Sequence, residues 1–272
     1  NLRGVVGAES DHGAAATAAH RAQEEHASQG ELVQGREAAQ ILPEPVSRVY
    51  ADYNATAPVR PEVRAAVEPL LFGSPEEGRY GNASSVHWAG QEARRHLERA
   101  RSALAEALGR RPSEVVFCSG GSEADNLALA GTLQHPACVA RRLVVSAAEH
   151  PAVLGPADEL ARRGVDVVRV PVDAEGALDL DALRTALAVP TGLVAVMAVN
   201  NETGVITDMR AVHELTQAAG APLLVDAVQA VGRVPLPEAE LLVATGHKLG
   251  GLKGAGMHAR SADRPLQPRI VG

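Results

Sequence analysis

From about Val49 onward the chain alternates between two hydrophobic rhythms. Short continuous apolar runs ("VVFC", "RLVVSA", "VDVVRVPV", "GLVAVMAV", "PLLVDAV" and "ELLVATG") have the length and β-branched content of buried strands. Between them lie segments whose apolar residues recur every three to four positions. One helix is expected from about Ser122 through "EADNLALAGTL", and another over "PAVLGPADELARRG", opened by Pro151 and closed by Gly164. "DLDALRTALA" and "MRAVHELTQAAG" complete this set. A longer helix is expected in "SSVHWAGQEARRHLERARSALAEALG", where Leu97, Leu104 and Leu108 recur at helical spacing and are expected to pack. Apolar runs separated by amphipathic helices predict an α/β fold, with a mostly parallel sheet covered on both faces.

Residues 1–47 break this pattern. "GAAATAAHRAQEEHASQGELVQGREAAQ" favours helix locally but offers no broad apolar face to bury. It is read as a loosely structured appendage, with residues 48–272 as the folded domain. His12, His20 and His26 lack i, i+4 spacing and companion cysteines, so no metal site is expected there.

Composition narrows the class. Aromatic residues are only 2% of the 272, so the core must be built from Ala, Val and Leu. The net charge of −7 comes from intermixed acids and bases, and no basic footprint for nucleic acid is present. The longest apolar run, "LVAVMAV" at 193–199, is far too short to span a bilayer, and no signal peptide is in view. Two cysteines, Cys118 and Cys138, do not make a disulfide framework, which points to a reducing cytoplasm. A chain beginning with Asn is expected to be a fragment or a processed product.

In sheets of this class, ligands bind at the carboxyl ends of the strands. There "CSGGSEADN" places Gly121 and Ser122 at a helix start, suited either to a phosphate or to an ordinary turn capped by Ser122. The next strand ends deliver Glu149 and His150, then Asn200, Asn201 and Glu202, then Asp226 and Gln229. The last, "LLVATGHKLGGLKGAGM", delivers Thr245, His247 and Lys248 before a run of glycines. That run fits neither G-x-x-x-x-G-K-[ST] nor G-x-G-x-x-G, which argues against nucleotide binding. Each feature alone is weak. Together, a lysine for a Schiff base, a carboxylate for a ring nitrogen, an imidazole face and a phosphate cup describe a pyridoxal phosphate site.

These residues carry a resemblance. The pieces "YADYNATAPV", "YGNASSVHWAG", "VVFCSGGSEADNLAL", "AEHPAVL", "VNNETGV", "VDAVQAVG" and "TGHKLGGLKGAG" occur in the order found in cysteine desulfurases of the nitrogen-fixation and iron–sulfur-assembly type. From about Val49 to Gly272 the chain resembles that family, part of the class V aminotransferase group. The resemblance implies a fold-type I large domain with a seven-stranded-type sheet. It also implies conversion of L-cysteine to L-alanine with sulfur passed as a persulfide to an acceptor or scaffold protein.

Residue by residue, the resemblance implies that Lys248 holds pyridoxal 5′-phosphate covalently and moves the substrate Cα proton. Asp226 would pair with the ring nitrogen and Gln229 with the phenolic oxygen. His150 would lie on the ring and shuttle protons. Gly121, Ser122, Thr245 and His247 would contact the phosphate, and Asn201 the substrate carboxylate or nearby ring oxygen. Ser122 stands where the family commonly has Thr, Thr245 where Ser is common, and Leu252 where proline is usual.

The larger departure is the nucleophilic cysteine. In the family it lies on a mobile loop beyond the point matching Gly272, together with the substrate-binding arginine. The region before it is therefore expected to have little activity alone, and a homodimer is expected of a full-length protein. Two other functions stay open: a selenocysteine lyase or other β-elimination enzyme, and a non-catalytic desulfurase-like binding protein.

Overall fold

Five strands pointing the same way, four of them buried, set where the polar rim falls. The computed structural model describes residues 48–74, 76 and 80–271. The appendage expected over residues 1–47, with His12, His20 and His26, lies outside the described residues. The strands are β1 (Val115–Cys118), β2 (Arg142–Ser146), β3 (Asp166–Val170), β4 (Leu193–Met197), β5 (Leu223–Asp226), β6 (Leu241–Thr245) and β7 (Gly256–Arg260). They form one sheet in the order β1-β7-β6-β5-β4-β2-β3. The neighbours from β3 to β6 pair in parallel, while β7 runs antiparallel to both β1 and β6.

Alternation along each strand sorts its side chains into two cores. Val144, Val194, Val225 and Leu242 face one layer; Leu143, Leu193, Leu224 and Leu241 face the other. The register agrees, with Val144 opposite Val194 and Leu143 opposite Leu193. The described helices are α1 (Pro61–Phe72), α2 (Trp88–Ala107), α3 (Gly121–Leu133), α4 (Pro151–Arg162), α5 (Leu180–Ala186) and α6 (Met209–Ala219). Helices α3 and α4 bury Leu129, Leu133, Val153 and Leu160 on one face; α5 and α6 bury Leu183 and Val212 on the other. Both faces are therefore covered, and buried residues on both sides explain why the strands read as continuous apolar runs.

Local signals account for the helix ends. The Asp208 side chain accepts from the Ala211 N–H at 3.0 Å to open α6, and Gly220, at φ 65°, closes it. Asp179 does the same for α5 through Asp181 and Ala182.

Three expectations need correction. Strand β7 was not foreseen, because His258 interrupts its short apolar run. Helix α1 was also unforeseen, although Val63, Val67, Leu70 and Leu71 recur at helical spacing; it buries none of its side chains. In the α2 stripe, Leu104 and Leu108 pack on the core as expected, but Leu97 is exposed. No helix among the described residues is long and apolar enough to cross a membrane.

Candidate active site

The carboxyl ends of β2, β4, β5 and β6 converge on a cleft of about 210 Å³. All nine residues singled out above line it: Gly121 and Ser122 from the start of α3, His150 before α4, Asn201 after β4, Asp226 and Gln229 from the end of β5, and Thr245, His247 and Lys248 from the end of β6. The β1–α3 turn reaches this group because β7 starts at Gly256, opposite both Cys118 and Thr245. A Cβ on Gly256 would come within 2.5 Å of the Gly120 Cα, so only glycine lets the two turns lie this close.

At the α3 start the N-cap is Gly120, and no side chain caps the helix. Ser122 is therefore not the cap; it lies inside the first turn and lines the cleft. Uncapped first-turn N–H groups with the positive helix end make an anion-receiving surface.

His150 has two duties. Its Nδ1 accepts the Ala152 N–H at 3.0 Å, capping α4, which leaves the proton of a neutral ring on Nε2. It also lines the cleft beside Asp226 and lowers that carboxyl's pKa. Asp226 is buried and accepts the Val228 N–H at 2.9 Å. Burial raises its pKa, against the pull of Val228, His150 and Lys248. Lys248 sits on a single 3-10 turn, Gly246–Lys248. Burial holds its pKa below the ordinary lysine value, the carboxylate of Asp52 opposes that, and Arg233 adds to it. Burial likewise lowers the His247 pKa, followed by the charges of Lys248 and Lys253, which keeps its ring neutral at neutral pH.

An N-terminal segment missed as a site element crosses this rim. The backbone oxygen of Asn54 accepts from the Lys248 ammonium and, at 2.9 Å, from Gln229 Nε2. Thr56 Oγ1 lies 3.1 Å from His247 Nδ1, and the Ala57 N–H donates to the His247 oxygen at 2.9 Å. Thr245, assigned above to phosphate, gives its hydroxyl proton to the Ala255 carbonyl at 3.2 Å, so its hydroxyl must turn to donate elsewhere. Asn201 donates to Glu202 Oε1 at 2.6 Å, whereas Asn200 holds the loop through Ala148, Glu202 and Thr203.

Two buried acids complete the site. Asp125 is 1% exposed, lines the cleft one turn into α3, and its Oδ1 has no partner among the described residues. Burial, then the charge of Asp226, pushes its pKa well up. Glu149 is buried, and its Oε1 accepts the Met197 N–H at 2.7 Å, clamping the ends of β2 and β4 together. Its pKa also rises through burial. The i, i+4 spacing of Asp125 from Gly121 was the signal that could have placed it in the cleft.

The aminotransferase class-V family model matches residues 49–268. A cysteine desulfurase of Frankia sp. (strain EuIK1) is 42% identical over 238 residues, covering 82% of this chain and 56% of that protein. A cysteine desulfurase of Cereibacter sphaeroides is 42% identical over 233 residues, covering 84% and 59%. Among solved structures, a NifS-like protein superposes with a TM-score of 0.77 at 33% identity, covering 83% of this chain and 62% of that one. SspA in complex with cysteine gives a TM-score of 0.76 at 28% identity, covering 82% and 65%. The chain thus spans less than two thirds of the length of these curated relatives.

Proposed function

The chain belongs to the aminotransferase class-V family, and from that membership we propose that it is the cofactor-binding domain of a pyridoxal 5′-phosphate-dependent cysteine desulfurase. The observation that carries this is the convergence of Lys248, Asp226 and the uncapped α3 start on one cleft. The residues fit the cofactor chemically. Asp226 is a buried carboxyl that accepts one backbone N–H among the described residues and has a raised pKa, an environment that calls for a cationic N–H opposite it. The helix start receives a dianion, and the lysine beside them is a partly desolvated amine.

When bound, pyridoxal phosphate supplies an electron sink for negative charge at the substrate Cα. Gly121, Ser122 and His247 would hold the phosphate end, with Thr245 after rotation of its hydroxyl. Asp226 would keep the proton on the ring nitrogen, and His150 would lie against the ring. Gln229 would donate to the phenolic oxygen, and Asn201 would orient the L-cysteine carboxylate or contact the nearby ring oxygen. Lys248 Nζ moves the Cα proton, a role favoured by a pKa below the ordinary lysine value. In the whole protein, sulfur would pass to an acceptor or scaffold protein, with the enzyme acting as a homodimer in the cytoplasm.

Neither thiol of this chain suits the sulfur-accepting step. The Cys118 pKa is pushed up to about 11 by burial, with Glu123 and Asp125 adding to it, and burial also raises that of Cys138. A thiolate nucleophile needs the opposite environment.

The test is spectroscopic first. Purified chain given pyridoxal phosphate should gain a visible absorption band that Lys248→Ala lacks. Identical spectra for the two proteins would refute the proposal. Alanine release, measured with cysteine and with selenocysteine, then separates the readings. This chain alone should release little from cysteine, and robust turnover would show that the thiol argument is wrong.

A further inference from the structure

Gln229 poses a problem that its own side chain cannot solve. A glutamine amide presents an oxygen on one side and an NH₂ on the other, and the two orientations have nearly the same shape. A residue that must donate into the cleft therefore needs something to hold its oxygen away. The turn after β5 provides that group. Gly232, at φ 70°, takes the left-handed conformation, and the Arg233 N–H then closes the turn on the Ala230 oxygen at 2.9 Å. This folds the Arg233 side chain back over Gln229. Its Nη1 donates to Gln229 Oε1 and, at 3.3 Å, to the Gln229 backbone oxygen. Its Nη2 donates to the Lys248 backbone oxygen at 2.7 Å. With Oε1 held by the guanidinium, Gln229 Nε2 points the other way and donates to the Asn54 oxygen at 2.9 Å, beside the Lys248 ammonium.

We propose that Arg233 is a positioning residue: it fixes Gln229 as a hydrogen-bond donor facing the cleft and ties that amide to the backbone of the Lys248 turn. A planar fork suits this task because it can donate to two acceptors from different segments at once, which a single ammonium does not do in the same geometry. Arg233 itself is exposed and stands off the reacting groups, so it acts through Gln229. The cofactor part of the inference rests on the proposed function; the amide orientation does not.

The experiment therefore has two arms, both on the 272-residue chain. In the first, without cofactor, the Gln229 side-chain amide protons are identified by ¹⁵N NMR through their loss in Gln229→Leu. In the unsubstituted protein they should be protected from solvent exchange. Arg233→Met should reduce that protection roughly tenfold, the scale of one lost charge-assisted hydrogen bond. Arg233→Lys should fall between the two and guards against misfolding of the Met variant. Unchanged protection in folded Arg233→Met would overturn the proposal.

In the second arm, pyridoxal phosphate affinity should fall roughly 5–10-fold in Arg233→Met. In a Gln229→Leu background the same change should cost less than about twofold, because its route of action is already gone. An equal loss in both backgrounds would overturn action through Gln229. If the unsubstituted protein takes up no cofactor, the proposed function fails, and the first arm alone decides the role of Arg233.

Discussion

Substituting Gly256 by alanine tests whether the approach of two turns builds the site. Gly256 opens β7 and has Gly120, the N-cap of α3, directly against it. A Cβ there would meet the Gly120 Cα, C and N atoms at 2.5, 2.6 and 2.8 Å. Ordinary contact begins near 3.4 Å, so a gap of almost 1 Å must open, and all three obstructing atoms are backbone. Overpacking of this kind costs about 1–3 kcal/mol, a fall in melting temperature of roughly 2–12 °C for a unit of this size. The displaced element is the helix start proposed to receive phosphate, so pyridoxal phosphate affinity should fall as well. Thermal unfolding followed by circular dichroism, with cofactor titration at a temperature where both proteins are folded, reads the two effects separately. Gly155→Ala is the control: it lies exposed within α4, its added Cβ meets nothing within 4 Å, and alanine should stabilise by about 0.5–1 kcal/mol. A Gly256→Ala protein that melts and binds cofactor like its parent would refute the close-approach argument.

The other predictions concern buried ionisable groups. His258 is fully buried in β7, both ring nitrogens lack partners among the described residues, and burial, aided by Arg260, lowers its pKa to about 4. Its contribution to stability is complete above the unfolded value near 6.5 and is lost as pH falls toward 4. His258→Leu should therefore flatten the decline in melting temperature between pH 6.5 and 4; an unchanged slope would count against that account. Asp125, Glu149 and Asp226 have raised pKa values, so the stability these three groups contribute in the cofactor-free protein is fully present below the ordinary carboxyl range and is lost as pH rises through their folded values. Asp125→Asn should reduce that loss on the alkaline side, and denaturant midpoints measured across pH would expose a wrong sign.

Much of the architecture could be read in advance because the signals are local. The apolar runs that begin at Leu193 and Leu223 are strands wherever they sit in the fold, and Pro151 and Gly220 punctuate helices through backbone geometry alone. The polar residues following each strand were legible for the same reason, since parallel strands share one carboxyl-end rim. All nine candidates do line one cleft. Strand β7 escaped because it has no apolar period of its own.

What the chain order could not reveal is who neighbours whom. The α3 start and the Lys248 turn are more than a hundred residues apart, and β7 brings them together by pairing with β1 and β6 at once. Asn54 reaches Lys248 and Gln229 from still further away, and Arg233 turns back on Gln229 only because Gly232 is left-handed. The sequence by itself determined which chemical groups stand at the strand ends, because periodicity and turn residues act over a few positions. Only the tertiary structure decided their partners, the burial of Asp125 and the pKa directions, because those depend on distances set by strand order and packing.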